Sequence, residues 1–333
     1  MGLVASGLLA PVSAGAASAV RVTSTVTTSM TTAMPVVRLS FSAPVRASDL
    51  PALTTKPVLA TRWQQIGPRE VQAVVQGKLT PSTSYAFRVP SAMKCATRCT
   101  FTSTHLLSSS VASSAAWEVQ LLAQLNYLPV TFTPSSAQSD ASQPVTGTYV
   151  WAYPQLPAIL SSLWHAGTNN VIIKGAVMAF QSDHNLTTTG IADETTWSDL
   201  ISAAQANKVN PRPYSYVVVS ESSPETATLY VAGKKTFHSL VNTGISVAPT
   251  VLGTYPVYLR YTSQTMSGTN PDGSHYSDPG IPWISYFNGG DALHGFIRST
   301  YGWPQSLGCV EMPYASAHVI WPHTSIGTLV TVT

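Results

Sequence analysis

The stretch Asp291–Met312, DALHGFIRSTYGWPQSLGCVEM, places a histidine and a cysteine in one segment with the turn residues that let them react. His294-Gly295 is followed by a loop carrying Gly302, Trp303 and Pro304, then by Ser306-Leu307-Gly308-Cys309. A thiol near its reference pKa of about 8.5 is only a few per cent thiolate at neutral pH, so a nucleophilic cysteine needs a base or a cation beside it. His294 is the nearest base in sequence. Gly308 reaches backbone angles closed to other residues, and a turn of that kind aims consecutive N–H groups at one developing oxyanion. Spacing alone therefore licenses a cysteine acyl transferase or hydrolase.

The pattern resembles the catalytic motif of the L,D-transpeptidases (YkuD-like domain), in which a histidine and a small residue precede a Ser/Thr-x-Gly-Cys signature. His294 and Cys309 stand in that relation, fifteen positions apart. Thr250-Val251-Leu252-Gly253-Thr254-Tyr255 is similar to the family's Thr-Pro-x-Gly-x-aromatic turn, and the resemblance runs from about Tyr214 to Thr333. Two positions leave the family's pattern. Leu307 replaces the usual histidine before Gly-Cys, and Glu311 replaces the arginine or asparagine two places after the cysteine.

Composition narrows the setting. The chain has 333 residues, comfortable for two or three domains. Charged residues make up 9%, against about 25% in an ordinary soluble protein, which suits a secreted or cell-surface chain. A net charge of +3, with no basic stripe interleaved by aromatics, excludes nucleic acid as the expected partner. Of the three cysteines, Cys95 and Cys99 lie four apart and read as a local disulfide in an exported protein, leaving Cys309 as an unpaired thiol. With only His105 nearby, Cys95 and Cys99 do not complete a metal set, so no metal and no cofactor are expected. Residues 1–19 are small and apolar and offer an Ala-x-Ala cleavage site without a basic n-region; they read as a leader or a flexible segment.

From Val20 to Thr104, β-prone runs at Pro35–Phe41, Glu70–Val75 and Ser84–Val89, separated by proline and polar turns, predict an antiparallel β-sandwich. LSFSAPV and LTPSTSYAFRV resemble bacterial immunoglobulin-like modules of cell-surface proteins, and Trp63 reads as a core or strand-edge residue. After a Ser/Ala linker the period turns helical. Trp117, Leu121, Leu122 and Leu125 mark one helix, Val171–Gln181 a second, and Glu194–Ala204 a third capped by Asp193 or Thr195, together a small bundle over 115–207. The words LLAQLNYLPV, VMAFQSDHNL and GIADETTWSDL resemble the helical peptidoglycan-binding domain of wall enzymes, interrupted here by an insertion over Pro134–Asn170. Its Tyr149, Trp151, Tyr153 and Trp164 read as the insertion's own core rather than a glycan-stacking surface, and His184 as a surface residue.

Residues 214–333 read as a mostly β domain. Ser215–Ser220 and Thr228–Ala232 form its opening hairpin, Phe237–Asn242 and Tyr255–Tyr261 add strands, and Gln264–Gly280, rich in Gly, Ser, Asn, Asp and Pro, is expected to be a loop or lid. His318 and His323 read as surface or helix-end residues. The expected architecture is multidomain and mainly β: an N-terminal sandwich, a three-helix peptidoglycan-binding bundle and a C-terminal catalytic domain.

The resemblance implies cysteine-dependent transpeptidation of peptidoglycan. Cys309 is the nucleophile, His294 the base, Gly295 orients the imidazole through its carbonyl, Ser306 fixes the turn, and amides around Gly308 hold the oxyanion. Tyr286 and Trp283 are carried over as cleft residues, with Leu307 and Glu311 beside the substrate. An ionised Glu311 would oppose thiol activation unless paired, for instance by Arg298. The expected protein is a monomer in the bacterial cell envelope, acting on peptidoglycan in wall biogenesis and cell shape. An L,D-carboxypeptidase using the same residues, or a non-catalytic wall-binding protein, is the alternative.

Overall fold

In the computed structural model the described residues are 22–28, 35–76, 80–81, 83–89, 92–93, 99–100, 105–110, 115–138, 140–141, 144–166 and 169–333. The chain divides into two compact units, 1–112 and 113–333.

The first unit contains β1 (Val22–Thr28), β2 (Pro35–Phe41), β3 (Thr54–Lys56), β4 (Ala60–Gly67), β5 (Glu70–Gln76), β6 (Ser84–Val89), β7 (Ala92–Met93), β8 (Cys99–Thr100) and β9 (His105–Ser110). One antiparallel sheet runs β1-β2-β5-β4, a second β3-β6-β9. Alternation decides which faces meet: Val37, Leu39 and Phe41 of β2 and Val71, Ala73 and Val75 of β5 turn inward and share a core with Tyr85 and Phe87 of β6. The result is the expected sandwich. Trp63 packs half-buried on that core and donates its indole N–H to the Pro51 carbonyl at 2.8 Å. Cys95, the side chain of Cys99 and residues 1–19 lie outside the described residues, and with them the expected disulfide and leader.

The second unit opens with α1 (Ala115–Gln124), the hairpin β10 (Val130–Pro134) and β11 (Gly147–Trp151), the single turn α2 (Ala158–Ser161), α3 (Val171–Asp183) and α4 (Glu194–Gln205). α3 and α4 each start at a capping side chain. Asn170 Oδ1 accepts from the amides of Ile172 and Ile173, and Asp193 Oδ1 from the amide of Thr196 at 2.8 Å. Leu121, Leu122, Ile172, Phe180, Trp197 and Leu200 make the helical core. The insertion's aromatics join it: Tyr149 packs 5.1 Å from Phe132 and edge-on to Trp164 at 5.9 Å, while Trp151 and Tyr153 lie on the same core. His184 corrects its expected surface position. Its ring stacks 4.0 Å from Phe180, one helical turn earlier, and its side chain is only 11% exposed.

The chain continues through β12 (Ser215–Ser220), β13 (Thr226–Val231), β14 (Lys234–Leu240), β15 (Gly253–Pro256), β16 (Leu259–Thr269), β17 (His275–Asn288), β18 (Asp291–Gly295), β19 (Val310–Met312), α5 (Tyr314–Ile320) and β20 (Leu329–Val332). Two sheets result, β14-β13-β12-β20-β15 and β16-β17-β18-β19. They enclose a core in which Val217, Leu229, Val330 and Val332 of the first meet Phe287, Leu293, Val310 and Met312 of the second. The run Tyr255–Tyr261 is two strands rather than one. The Val257 amide bonds the Thr328 carbonyl and the Tyr258 amide bonds the Tyr286 carbonyl, so the chain crosses from one sheet to the other between them.

The expected loop Gln264–Gly280 is instead the outer half of a long antiparallel hairpin. β16 and β17 stay paired out to Thr269↔His275 and close through a turn with the Gly273 amide on the Asn270 carbonyl. The segment is polar because much of this ribbon is exposed, not because it lacks a pairing partner. Helices and catalytic sheets also share one core, since Tyr216 and Leu329 belong to the helical cluster. Gly175 of α3 and Gly327 approach backbone to backbone: a Cβ on Gly175 would lie 2.6 Å from the Gly327 carbonyl oxygen.

Candidate active site

β18 and β19 are parallel neighbours with Leu293 opposite Val310, His294 opposite Glu311 and Gly295 opposite Met312. Side chains alternate along a strand, and partners in a parallel pair point to the same face. Leu293, Val310 and Met312 therefore enter the inter-sheet core, while His294 and Glu311 face the other way. Cys309 precedes β19 on the same parity as Glu311 and packs with Ala292 in a separate small cluster that includes Ile281, Ile284 and Tyr286. Fifteen positions of sequence become two adjacent strands with histidine and cysteine on one face.

The turn carrying the cysteine is tied down on three sides. Ser306 Oγ donates to the Cys309 carbonyl and accepts the Gly308 amide at 3.2 Å, so its hydroxyl is spent on shaping the turn. Thr250 Oγ1 donates to the Gly308 carbonyl at 2.8 Å and accepts from the Gly244 amide, which gives the Thr-x-x-Gly turn its structural task. Gly308 has φ +115, and a Cβ there would lie 2.6 Å from Asp291 Oδ1; no other residue fits. Gly295 is constrained likewise, because a Cβ would meet the Tyr314 ring at 2.9 Å.

His294 is 3% exposed and its Nδ1 lies 3.1 Å from the Gly295 carbonyl oxygen. A carbonyl only accepts, so Nδ1 carries the proton and Nε2 is the free lone pair. Burial holds the imidazole below its ordinary pKa, and it rests neutral. Cys309 is a free thiol whose Sγ points to the Gly290 carbonyl at 3.6 Å. Burial pushes it up to about 12; the Ala292 amide opposes this, and the Asp291 and Glu311 carboxylates add to it. The resting pair is thus a neutral thiol and a neutral imidazole.

Glu311 is paired as its position requires. Arg298 Nε and Nη2 grip its two oxygens at 2.7 and 2.8 Å, and the guanidinium stacks 4.6 Å over Phe296, whose ring meets His294 edge-on at 6.0 Å. Asp291 accepts from the Val251 amide and Asn288, and burial holds its carboxyl above the usual range. Asp291 has no role legible in the sequence; in the fold its carboxylate lies where a Cβ at position 308 would fall.

The remaining residues separate. Tyr286 lies on the cysteine's side, donating to Gln264 and neighbouring Tyr258 and Tyr261. Leu307 is half-buried in the turn. Trp283 goes elsewhere: at φ +55 it turns toward α5, edge-on to Tyr314 and His318, and packs on the inter-sheet core. Tyr276, in a segment that reads as a loop, comes near Cys309 from the hairpin: burial first, and then the sulfur's charge when it ionises, push its phenol up. Among the described residues no cluster of three or more His, Cys, Asp or Glu is disposed to hold a metal ion, and no helix is long and apolar enough to cross a membrane.

Residues 214–332 match the model of the L,D-transpeptidase catalytic domain, and residues 167–200 that of a peptidoglycan binding domain. Among solved structures the chain is similar to the catalytic domain of an L,D-transpeptidase from E. faecium, at 23% identity over 37% of this chain and 100% of that one, with a TM-score of 0.33. It is also similar to an L,D-transpeptidase from Mycobacterium tuberculosis H37Rv, at 13% identity over 90% of each chain and a TM-score of 0.32. A third, from Stackebrandtia nassauensis, shares 20% identity over 60% of this chain and 97% of that one, with a TM-score of 0.29. No curated relative matches the chain. The two domain models carry the assignment: residues 214–332 are an L,D-transpeptidase catalytic domain acting on peptidoglycan, preceded in the same chain by a peptidoglycan-binding domain.

Proposed function

We propose that the chain cross-links peptidoglycan through a thioester on Cys309. The supporting observation is the β18–β19 pairing, which turns Cys309 and a His294 of fixed tautomer to one face of the sheet. Because thiol and imidazole both rest neutral, His294 Nε2 takes the thiol proton as sulfur attacks, rather than holding a preformed thiolate. The carbonyl attacked belongs to the third residue of a donor stem tetrapeptide. Its oxyanion is held by the amides flanking Gly308, since the Gly308 N–H is already given to Ser306. The amide C–N bond breaks and D-alanine leaves with the proton from His294. The acceptor amine then attacks the thioester, gives a proton to His294, and the released sulfur is reprotonated.

Gly295 sets the imidazole's orientation, Ser306 and Gly308 the turn, and Tyr286 and Leu307 border the substrate. Arg298 clamps Glu311 and offsets part of the charge that the carboxylate presents to the thiol. The protein works as a secreted monomer in the cell envelope. Intact-mass spectrometry after incubation with a carbapenem tests this reading. A single adduct is expected on the wild type and none on Cys309→Ala. A wild type that takes no adduct and forms no wall dimers would leave only the wall-binding alternative.

A further inference from the structure

A cavity of about 230 Å3 lies between the helical region and the catalytic sheets, within the second compact unit. Its floor is the face of α3 that carries Ala176 and Ala179. Asn126, Arg212, Tyr214, His323 and Ser325 also line it. The helix comes close enough to make this floor because Gly175 and Gly327 have no side chains to part them.

The charge and hydrogen-bonding state of this lining select a ligand class. Arg212 is the cavity's cation, but Asp183 accepts it with both carboxylate oxygens and accepts the Tyr127 hydroxyl as well, so the site carries no net pull on an anion. What remains uncommitted is neutral. The Tyr214 hydroxyl, the Ser325 hydroxyl and the Asn126 side-chain amide make no hydrogen bond with any described residue. Burial pushes the Tyr214 phenol well up, so it stays a neutral donor and acceptor, and its ring is held by stacking 6.0 Å from Tyr153. Neutral groups of mixed donor and acceptor character, set around a small apolar floor, suit a ligand with several hydroxyls and one apolar face. The volume is below the roughly 300–1,000 Å3 of pockets that enclose drug-sized molecules. It accommodates one ring rather than a peptide strand.

We propose that this junction is a saccharide subsite that takes one N-acetylated hexosamine unit, holding a glycan strand apart from the reacting thiol. The proposal rests on the peptidoglycan reading above for its source of sugar. Its lining comes largely from α3 and from the C-terminal segment 322–329, so the glycan would touch both domains at once. Neither domain alone builds the site.

The test is titration of the full chain with a β-1,4-linked N-acetylglucosamine trimer, which carries no stem peptide, followed by calorimetry and by saturation transfer from protein to sugar. Saturable binding is expected for the wild type, weakened about tenfold by Tyr214→Phe, which removes one hydroxyl and keeps the ring. Ala179→Leu, which fills the floor, should abolish it. Both variants should acylate Cys309 with a carbapenem at the wild-type rate, which also shows that they are folded. Wild-type protein that acylates but binds no trimer, or binding unchanged in both variants, overturns the subsite and leaves the transpeptidase reading intact. Trimer binding with no acylation by the wild type would sustain the subsite and sink the enzyme.

Discussion

Two buried polar centres in the second unit are built on opposite terms. In the helical region Gln181 is 1% exposed and all its capacity is used: Nε2 donates toward Thr189, Ile191 and Thr196, and Oε1 accepts the Gly190 amide. In the catalytic sheet His294 is equally deep, but only Nδ1 is engaged, while Nε2 and the Cys309 thiol are left with weak or no partners. A satisfied buried amide fixes a turn and gives stability; an under-satisfied imidazole costs stability and keeps a lone pair available. Burial is common to both, so hydrogen-bond completion is what separates scaffold from chemistry.

Exchanging those terms should separate activity from stability. His294→Asn is expected to lower the carbapenem acylation rate by a factor of about 10²–10⁴ while shifting the thermal midpoint little, read by stopped-flow fluorescence and calorimetry on the same sample. Gln181→Leu should do the reverse. Leaving the Gly190 amide without its acceptor costs about 1–3 kcal/mol in denaturant unfolding, with the acylation rate per folded molecule unchanged; the Thr189 and Thr196 hydroxyls keep their bonds to Ile191 and Asp193. If both variants lose activity and stability in the same proportion, the contrast between the two centres is wrong.

The smallest effect concerns charge beside the thiol. Because burial holds Cys309 up to about 12, its iodoacetamide alkylation should climb about tenfold per pH unit from pH 7 to 10 without reaching a plateau. Arg298→Gln leaves the Glu311 carboxylate uncompensated two residues from the sulfur, and should move that profile to higher pH. Glu311→Gln leaves the guanidinium alone and should move it to lower pH. Profiles that coincide for the wild type and both variants would show that the pair does not act on the thiol.

Local signals carried much of the architecture because they report local physics. Alternation at Pro35–Phe41 and Glu70–Val75, helical spacing at Val171–Gln181 and the Asp193 cap each depend on residues within a few positions, and each element appears where its pattern begins. The hairpin of β16 and β17 did not show, because a ribbon wetted over much of its length has the composition of a loop, and its ladder depends on a partner strand. His184 and Trp283 were misplaced for a related reason: which face of an element is covered is decided by what packs on it.

Sequence by itself determined the chemical inventory of this protein: the thiol, the base, the glycine before the thiol at position 308, and the Leu307 and Glu311 departures from the family's pattern. Tertiary structure alone decided how that inventory is used. The parallel register of β18 and β19 brings His294 and Glu311 level with each other, and the loop after β18 delivers Arg298 to Glu311. Packing of the α3 backbone against Gly327 opens a cavity between domains that no segment contains by itself. Side-chain identity is a property of the chain, whereas desolvation, pairing and register arise only when distant segments exclude water from each other.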